Sequence, residues 1–85
     1  MYRISYENAD SISKDLSSIP QKQRQQVLKA IERLKHYGPL MRGIKALKGS
    51  NRKRLRQGDY RILFYVQGDT VIVTNVDNRK DAYRE

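Results

Sequence analysis

Arg52-Lys53-Arg54-Leu55-Arg56-Gln57-Gly58-Asp59-Tyr60-Arg61-Ile62-Leu63-Phe64-Tyr65-Val66 is the stretch that decides the fold. A turn signal, Gln57-Gly58-Asp59, separates two runs in which side chains alternate in character, and period-two alternation is the mark of a strand. Alternation puts Arg52, Arg54 and Arg56 on one side of the first run, with Lys53 and Leu55 on the other. In the second run Ile62, Phe64 and Val66 form one set, and Arg61, Leu63 and Tyr65 the other. If the first set faces a core, Arg61 projects from the open face, where the arginines of the neighbouring strand converge on it. Between Arg42 and Arg61 eight Lys or Arg residues stand against one acid, Asp59. Cations held on a rigid sheet repel one another, and that cost points to a polyanionic partner, nucleic acid first.

Working outward, Gln67-Gly68-Asp69-Thr70 is a tight hairpin connection and Val71 to Val76 a third consecutive strand. Upstream, Lys48-Gly49-Ser50-Asn51 is a turn, and Leu40 to Gly49 is loop or short turn with Ile44 and Leu47 as anchors. Gly38-Pro39 stops a helix that starts near Pro20 and carries the stripe Val27, Leu28, Ile31 and Leu34, with Lys22, Arg24, Lys29, Arg33 and Lys35 facing water. A shorter helix before it repeats Ala9, Ile12 and Leu16, after the capping run Glu7-Asn8-Ala9-Asp10. Tyr2, Ile4 and Tyr6 alternate as a first strand. The order is β-α-α-β-β-β over a single domain, residues 1–85: an α+β fold with a helical hairpin packed on a small antiparallel sheet.

The 85 residues carry 18 Lys and Arg against 9 Asp and Glu, a net charge of +9. There is no cysteine, which excludes disulfides and thiolate metal sites, and the one histidine, His36, sits near a helix end without catalytic partners. No apolar run approaches the ~20 residues of a membrane span, and Tyr2 to Tyr6 is not a signal sequence. A soluble, cytoplasmic domain without metal or cofactor is expected.

The run Arg54 to Val66, followed by Val76-Asp77-Asn78-Arg79-Lys80-Asp81-Ala82-Tyr83-Arg84, resembles the RelE/ParE superfamily of type II toxin–antitoxin toxins, in its RelE-like mRNA interferase branch. The resemblance covers essentially the whole chain: a basic strand, a Gly-Asp-Tyr-Arg turn into a strand, and a terminal Arg and Tyr. It implies an endoribonuclease that cleaves mRNA in the ribosomal A site and stops translation. It assigns catalysis to Arg54, Arg61, Arg79 and Tyr83. Arg52, Lys53, Arg56, Lys45 and Lys48 are the accompanying RNA and phosphate contacts, and a small acidic antitoxin is the implied protein partner.

The chemistry asked of these residues is metal-independent. A 2′-OH attacks the scissile phosphate, arginine forks stabilise the phosphorane, and the 5′-oxygen is protonated as it leaves. Tyr83 stacks on a base or assists proton transfer. The best-known RelE pattern has lysines at the positions of Arg52 and Arg54, one of them a candidate general base; an arginine does not give up its proton, so the base is left open. Two alternatives stand beside the nuclease: a ParE-like inhibitor of DNA gyrase on the same fold, and a noncatalytic RNA-binding module. Locally, Arg61 also has a plain structural role open to it, pairing with Asp59 or Asp77, and Tyr60 and Tyr65 are expected to pack rather than bind ligand.

Overall fold

The computed structural model describes residues 1–38 and 40–78. Its elements are β1 (Arg3–Tyr6), α1 (Ala9–Ser17), α2 (Gln21–Arg33) ending in a single 3-10 turn (Leu34–His36), β2 (Ile44–Ala46), β3 (Lys53–Gln57), β4 (Tyr60–Gln67) and β5 (Thr70–Asn78). One five-stranded sheet runs in the order β1-β5-β4-β3-β2, with the helices on one face.

The α+β architecture and the helical hairpin are as expected; the sheet is richer than the sequence indicates. β1 pairs with β5 in parallel, Arg3 opposite Thr70 through Tyr6 opposite Val73, so the sheet is mixed and not wholly antiparallel. Alternation identifies a strand but not its partner, and this partner lies almost the whole chain away. Ile44–Ala46, expected as loop or short turn, adds a short edge strand by pairing with β3, Ile44 opposite Leu55.

Local chemistry sets the element ends. The Asn8 side chain accepts a hydrogen bond from the Ser11 N–H at 3.1 Å and caps α1. At the other end of α1, Arg24 reaches back from α2. Its Nε and Nη2 donate to the Ile19 carbonyl at 3.2 and 2.9 Å, and Nη2 also to the Ser17 carbonyl at 3.3 Å. Arg24 is therefore half-buried and ties the hairpin together, where the sequence pattern put it on the solvated face. Gly58 and Gly68, with φ of 59° and 60°, each lead a two-residue Gly-Asp loop that follows a Gln. Positive φ at the first loop position matches the twist of two-residue hairpins.

The core lies between sheet and helices: Ile12, Ile19, Val27, Ala30, Ile31 and Leu34 against Leu55, Ile62, Phe64, Val71, Val73 and Val76. Leu28, expected inside, is 41% exposed, and Ala30 takes that place. Edge-to-face rings link Tyr2 to Tyr37 (5.8 Å) and Tyr37 to Phe64 (5.7 Å), joining the residue before β1, the residue after the 3-10 turn and β4.

One irregularity positions the site. Leu63 pairs with Asn75 but Phe64 with Val73, so Thr74 is an extra residue, a β-bulge. Its hydroxyl donates to the Leu63 carbonyl at 3.2 Å. Strict alternation from Val71 and Val73 would send Asn75 and Asp77 into the core. The bulge shifts the phase, so that Val76 is buried and Asp77 turns to the open face opposite Arg61.

Candidate nucleic-acid interface on the open face of the sheet

The face of the sheet away from the helices is built in rows by the strand register. Lys45 of β2 stands opposite Arg54 of β3, and Arg54 opposite Leu63, which faces Asn75. In the next row Arg56 stands opposite Arg61, and Arg61 opposite Asp77. Directly opposed side chains have Cβ atoms about 4.5–5.5 Å apart, and like charges so placed destabilise the pair. Lys45 with Arg54, and Arg56 with Arg61, are two such pairs side by side.

Arg54 carries a further cost. Its Nε is excluded from solvent and has no hydrogen-bond partner. A buried donor left unmade costs about 1–3 kcal/mol, so folding alone does not account for this orientation. The two-residue spacing that places Arg54 and Arg56 together is the strand period itself, fixed because Leu55 between them is 1% exposed in the core.

The sequence-predicted residues fall into four groups. Arg54, Arg56, Arg61 and Lys45 meet on the open face, while Arg52, the residue before β3, lines a cleft with Tyr65. Lys53 does not join them: it pairs with Ala46 and Phe64, which puts it on the helix side of the sheet, half-buried. Lys48 lies in the exposed turn before β3. Arg79 and Tyr83 lie outside the described residues.

Asp77 is the member of this face to which sequence reasoning gave only a pairing role. Burial, and then the Asp15 carboxylate of α1, push its pKa above the ordinary carboxylate value, with Arg61 pulling the other way. Placing it needs the bulge, which no alternation pattern announces. Among the described residues no group of three or more His, Cys, Asp or Glu is gathered to hold a metal, and no helix is long and apolar enough to cross a membrane. The ion pairs Arg3–Asp69 and Lys35–Glu32 lie away from the basic rows.

Residues 2–83 match the family model described as the ParE toxin of the type II toxin–antitoxin system ParDE. The chain belongs to that toxin family. Within it the chain is 37% identical over 79 residues to Toxin RelE3 of Methanocaldococcus jannaschii, covering 88% of this chain and 90% of that relative. Its fold superposes on the toxin of the RelB–RelE antitoxin–toxin complex from Methanococcus jannaschii with a TM-score of 0.74 at 33% identity, covering 93% and 94% of the two chains. The archaeal RelE–RelB complex from Pyrococcus horikoshii gives a TM-score of 0.74 at 24% identity, over 99% and 98%, a likeness of fold. The protein is thus a toxin of a RelE-type toxin–antitoxin system.

Proposed function

We propose that this toxin is an endoribonuclease that cleaves mRNA in the ribosomal A site. The observation that carries the proposal is the paired rows of cations on a stiff sheet, with the Arg54 donor desolvated and unpartnered. Donors fixed in advance around developing negative charge are what phosphoryl-transfer catalysis requires, each worth about 3–4 kcal/mol. The nucleophile is the RNA's own 2′-OH, aligned by the grip of the arginines on neighbouring phosphates. Arg54 and Arg61 face the phosphorane, with Arg79 as a third fork, and Arg56, Arg52 and Lys45 hold the flanking backbone. Tyr83 stacks on a base or protonates the leaving 5′-oxygen.

Arg54, Arg56 and Arg61 cannot accept the 2′-OH proton at ordinary pH. Asp77, opposite Arg61 and with its affinity for a proton raised, is a group on this face that can. We also propose a small acidic antitoxin that covers the basic face and relieves its repulsion; co-purification from cells carrying the neighbouring gene without such a partner would count against it.

The test of the nuclease is induced expression of wild type beside an Arg61→Ala, Arg79→Ala double variant, with primer extension on an abundant mRNA. Growth arrest with cuts inside codons, absent in the variant, is the expected result. The family model is named for ParE, which keeps gyrase inhibition as the second reading. Arrest with intact mRNA and double-strand DNA breaks would establish it in place of the first.

A further inference from the structure

Beyond the arginine rows, the open face continues into a cleft of about 430 Å³ lined by Glu7, Asn51, Arg52, Tyr65, Val66 and Gln67. Its composition differs from the rest of the sheet. Tyr65 brings the one aromatic ring among the described open-face positions of β3, β4 and β5, half-buried beside its cross-strand neighbour Ile72. The other lining residues include two that carry amides, one that carries a carboxylate and one that carries a guanidinium. Tyr65 lies two residues beyond Leu63, the cross-strand partner of Arg54. At 3.3–3.4 Å per residue that is about 7 Å along the strand, comparable to the step between successive phosphates of an extended single strand.

We propose that this cleft is a nucleobase subsite for single-stranded RNA, in which the base next to the phosphate held at Arg54 stacks on Tyr65. The inference rests on the reading of this toxin as one that handles RNA. An unpaired base offers a π-face to an aromatic side chain, and its edge is then read by hydrogen bonds. Arg52 holds the adjoining phosphate. Asn51 and Gln67 are amides that donate and accept at once, the pairing suited to the N6 and N7 edge of adenine. Glu7 decides the preference: an ionised carboxylate only accepts, so it favours a base with an exocyclic amino group and rejects the O4 carbonyl of uracil. Its backbone is anchored, because the Glu7 N–H donates to the Val73 carbonyl at 3.0 Å at the end of the β1–β5 pairing. The subsite selects adenine over uracil.

The experiment is an NMR titration of the full chain with adenosine 5′-monophosphate, uridine 5′-monophosphate and inorganic phosphate. The adenine nucleotide is expected to shift the Tyr65 ring and the Asn51 and Gln67 side-chain amide signals at concentrations where phosphate alone leaves them in place. Tyr65→Leu keeps apolar bulk but removes the π-face, and should weaken the adenine nucleotide about 5- to 150-fold. Tyr65→Phe should bind as wild type, and Glu7→Gln should narrow the gap between the two nucleotides. Shifts confined to the Arg54 and Arg61 rows, or unchanged affinity in a folded Tyr65→Leu variant, would overturn the subsite. The nuclease stands or falls separately. Nucleotide stacking at Tyr65 without mRNA cuts would sink cleavage and keep the subsite; cuts at identical positions in wild type and Tyr65→Leu would do the reverse.

Discussion

Replacing Arg54 by methionine should make this protein more stable and much less active. The side chain's stem runs through a half-buried position, and methionine matches that stem out to the level of Nε, so little packing along it is lost. Two costs disappear. The solvent-excluded Nε has no partner, and such a group is worth about 1–3 kcal/mol of destabilisation. The repulsion from Lys45 directly opposite adds about 0.2–1 kcal/mol. Allowing for imperfect repacking, a net gain of about 1 kcal/mol is expected, which for a chain of this size raises Tm by about 4–8 °C. On the proposed nuclease reading, loss of this donor should at the same time lower cleavage by about 10²–10³-fold. The assay is a thermal melt by circular dichroism in 0.05 M and 1 M salt, paired with primer extension. Screening at 1 M reaches ~3 Å and removes the repulsive share, while the desolvation share persists. A Tm equal to or below that of wild type in both salts would refute the account of Arg54 as a donor held ready at the expense of the fold.

Other perturbations separate the scaffold from the face. Asp77 has its pKa raised in the folded state, so protonation favours folding. That contribution is complete below the unfolded value near 3.8 and is lost as pH rises through the folded value. Asp77→Asn should therefore melt higher than wild type at pH 7, with the advantage closing below about pH 4; identical melts at pH 7 would contradict the environment assigned to it. Arg24→Ala removes the guanidinium that holds the Ser17 and Ile19 carbonyls and should cost about 1–3 kcal/mol by denaturant titration. Arg24→Lys should recover only part, since one ammonium cannot reproduce the fork. Phe64→Ala opens a cavity at a fully buried ring and should cost about 3–5 kcal/mol. That is a large part of the ~5–15 kcal/mol typical of a whole domain, and hydrogen exchange should show global, not local, opening.

Much of this was legible in the residues because local rules and burial agree. Leu55, Ile62 and Phe64 mark the core side of their strands, and the arginines between them are thereby forced to the open face. What the residues hid is non-local. The parallel β1–β5 pairing and the short β2 edge depend on which strands meet, and nothing in Tyr2 to Tyr6 or Ile44 to Ala46 states that. Arg24 looked like one more solvated cation because its acceptors, the carbonyls at the end of α1, are backbone atoms. Charge groups Lys53 with its neighbours, although the alternation that turns Arg54 to the open face turns Lys53 to the opposite side. Tyr65 was expected only to pack, since the polar groups that make its surroundings a cleft come from the end of β1, the turn before β3 and the end of β4.

The bulge at Thr74 shows how fold and site are bound together. Without it β5 would keep strict alternation, Asp77 would meet the core, and the row Arg56–Arg61 would end in no acid. With it, Val71, Val73 and Val76 are buried although the last breaks phase, and a carboxylate arrives beside Arg61. The same residue therefore satisfies the core and completes the charged face. A design for stability alone would not place Arg56 against Arg61, strand Arg54 Nε and leave Asp77 in surroundings that favour its protonated form. Each is a cost borne by the native state, and all three lie within two adjacent rows of one face. Strain that collects in one place while the core on the opposite face packs mostly apolar side chains is the physical signature of a surface shaped for a ligand. On the proposed nuclease reading that ligand is an RNA phosphate, whose charge would offset the repulsion that the single carboxylate of Asp77 leaves in these rows.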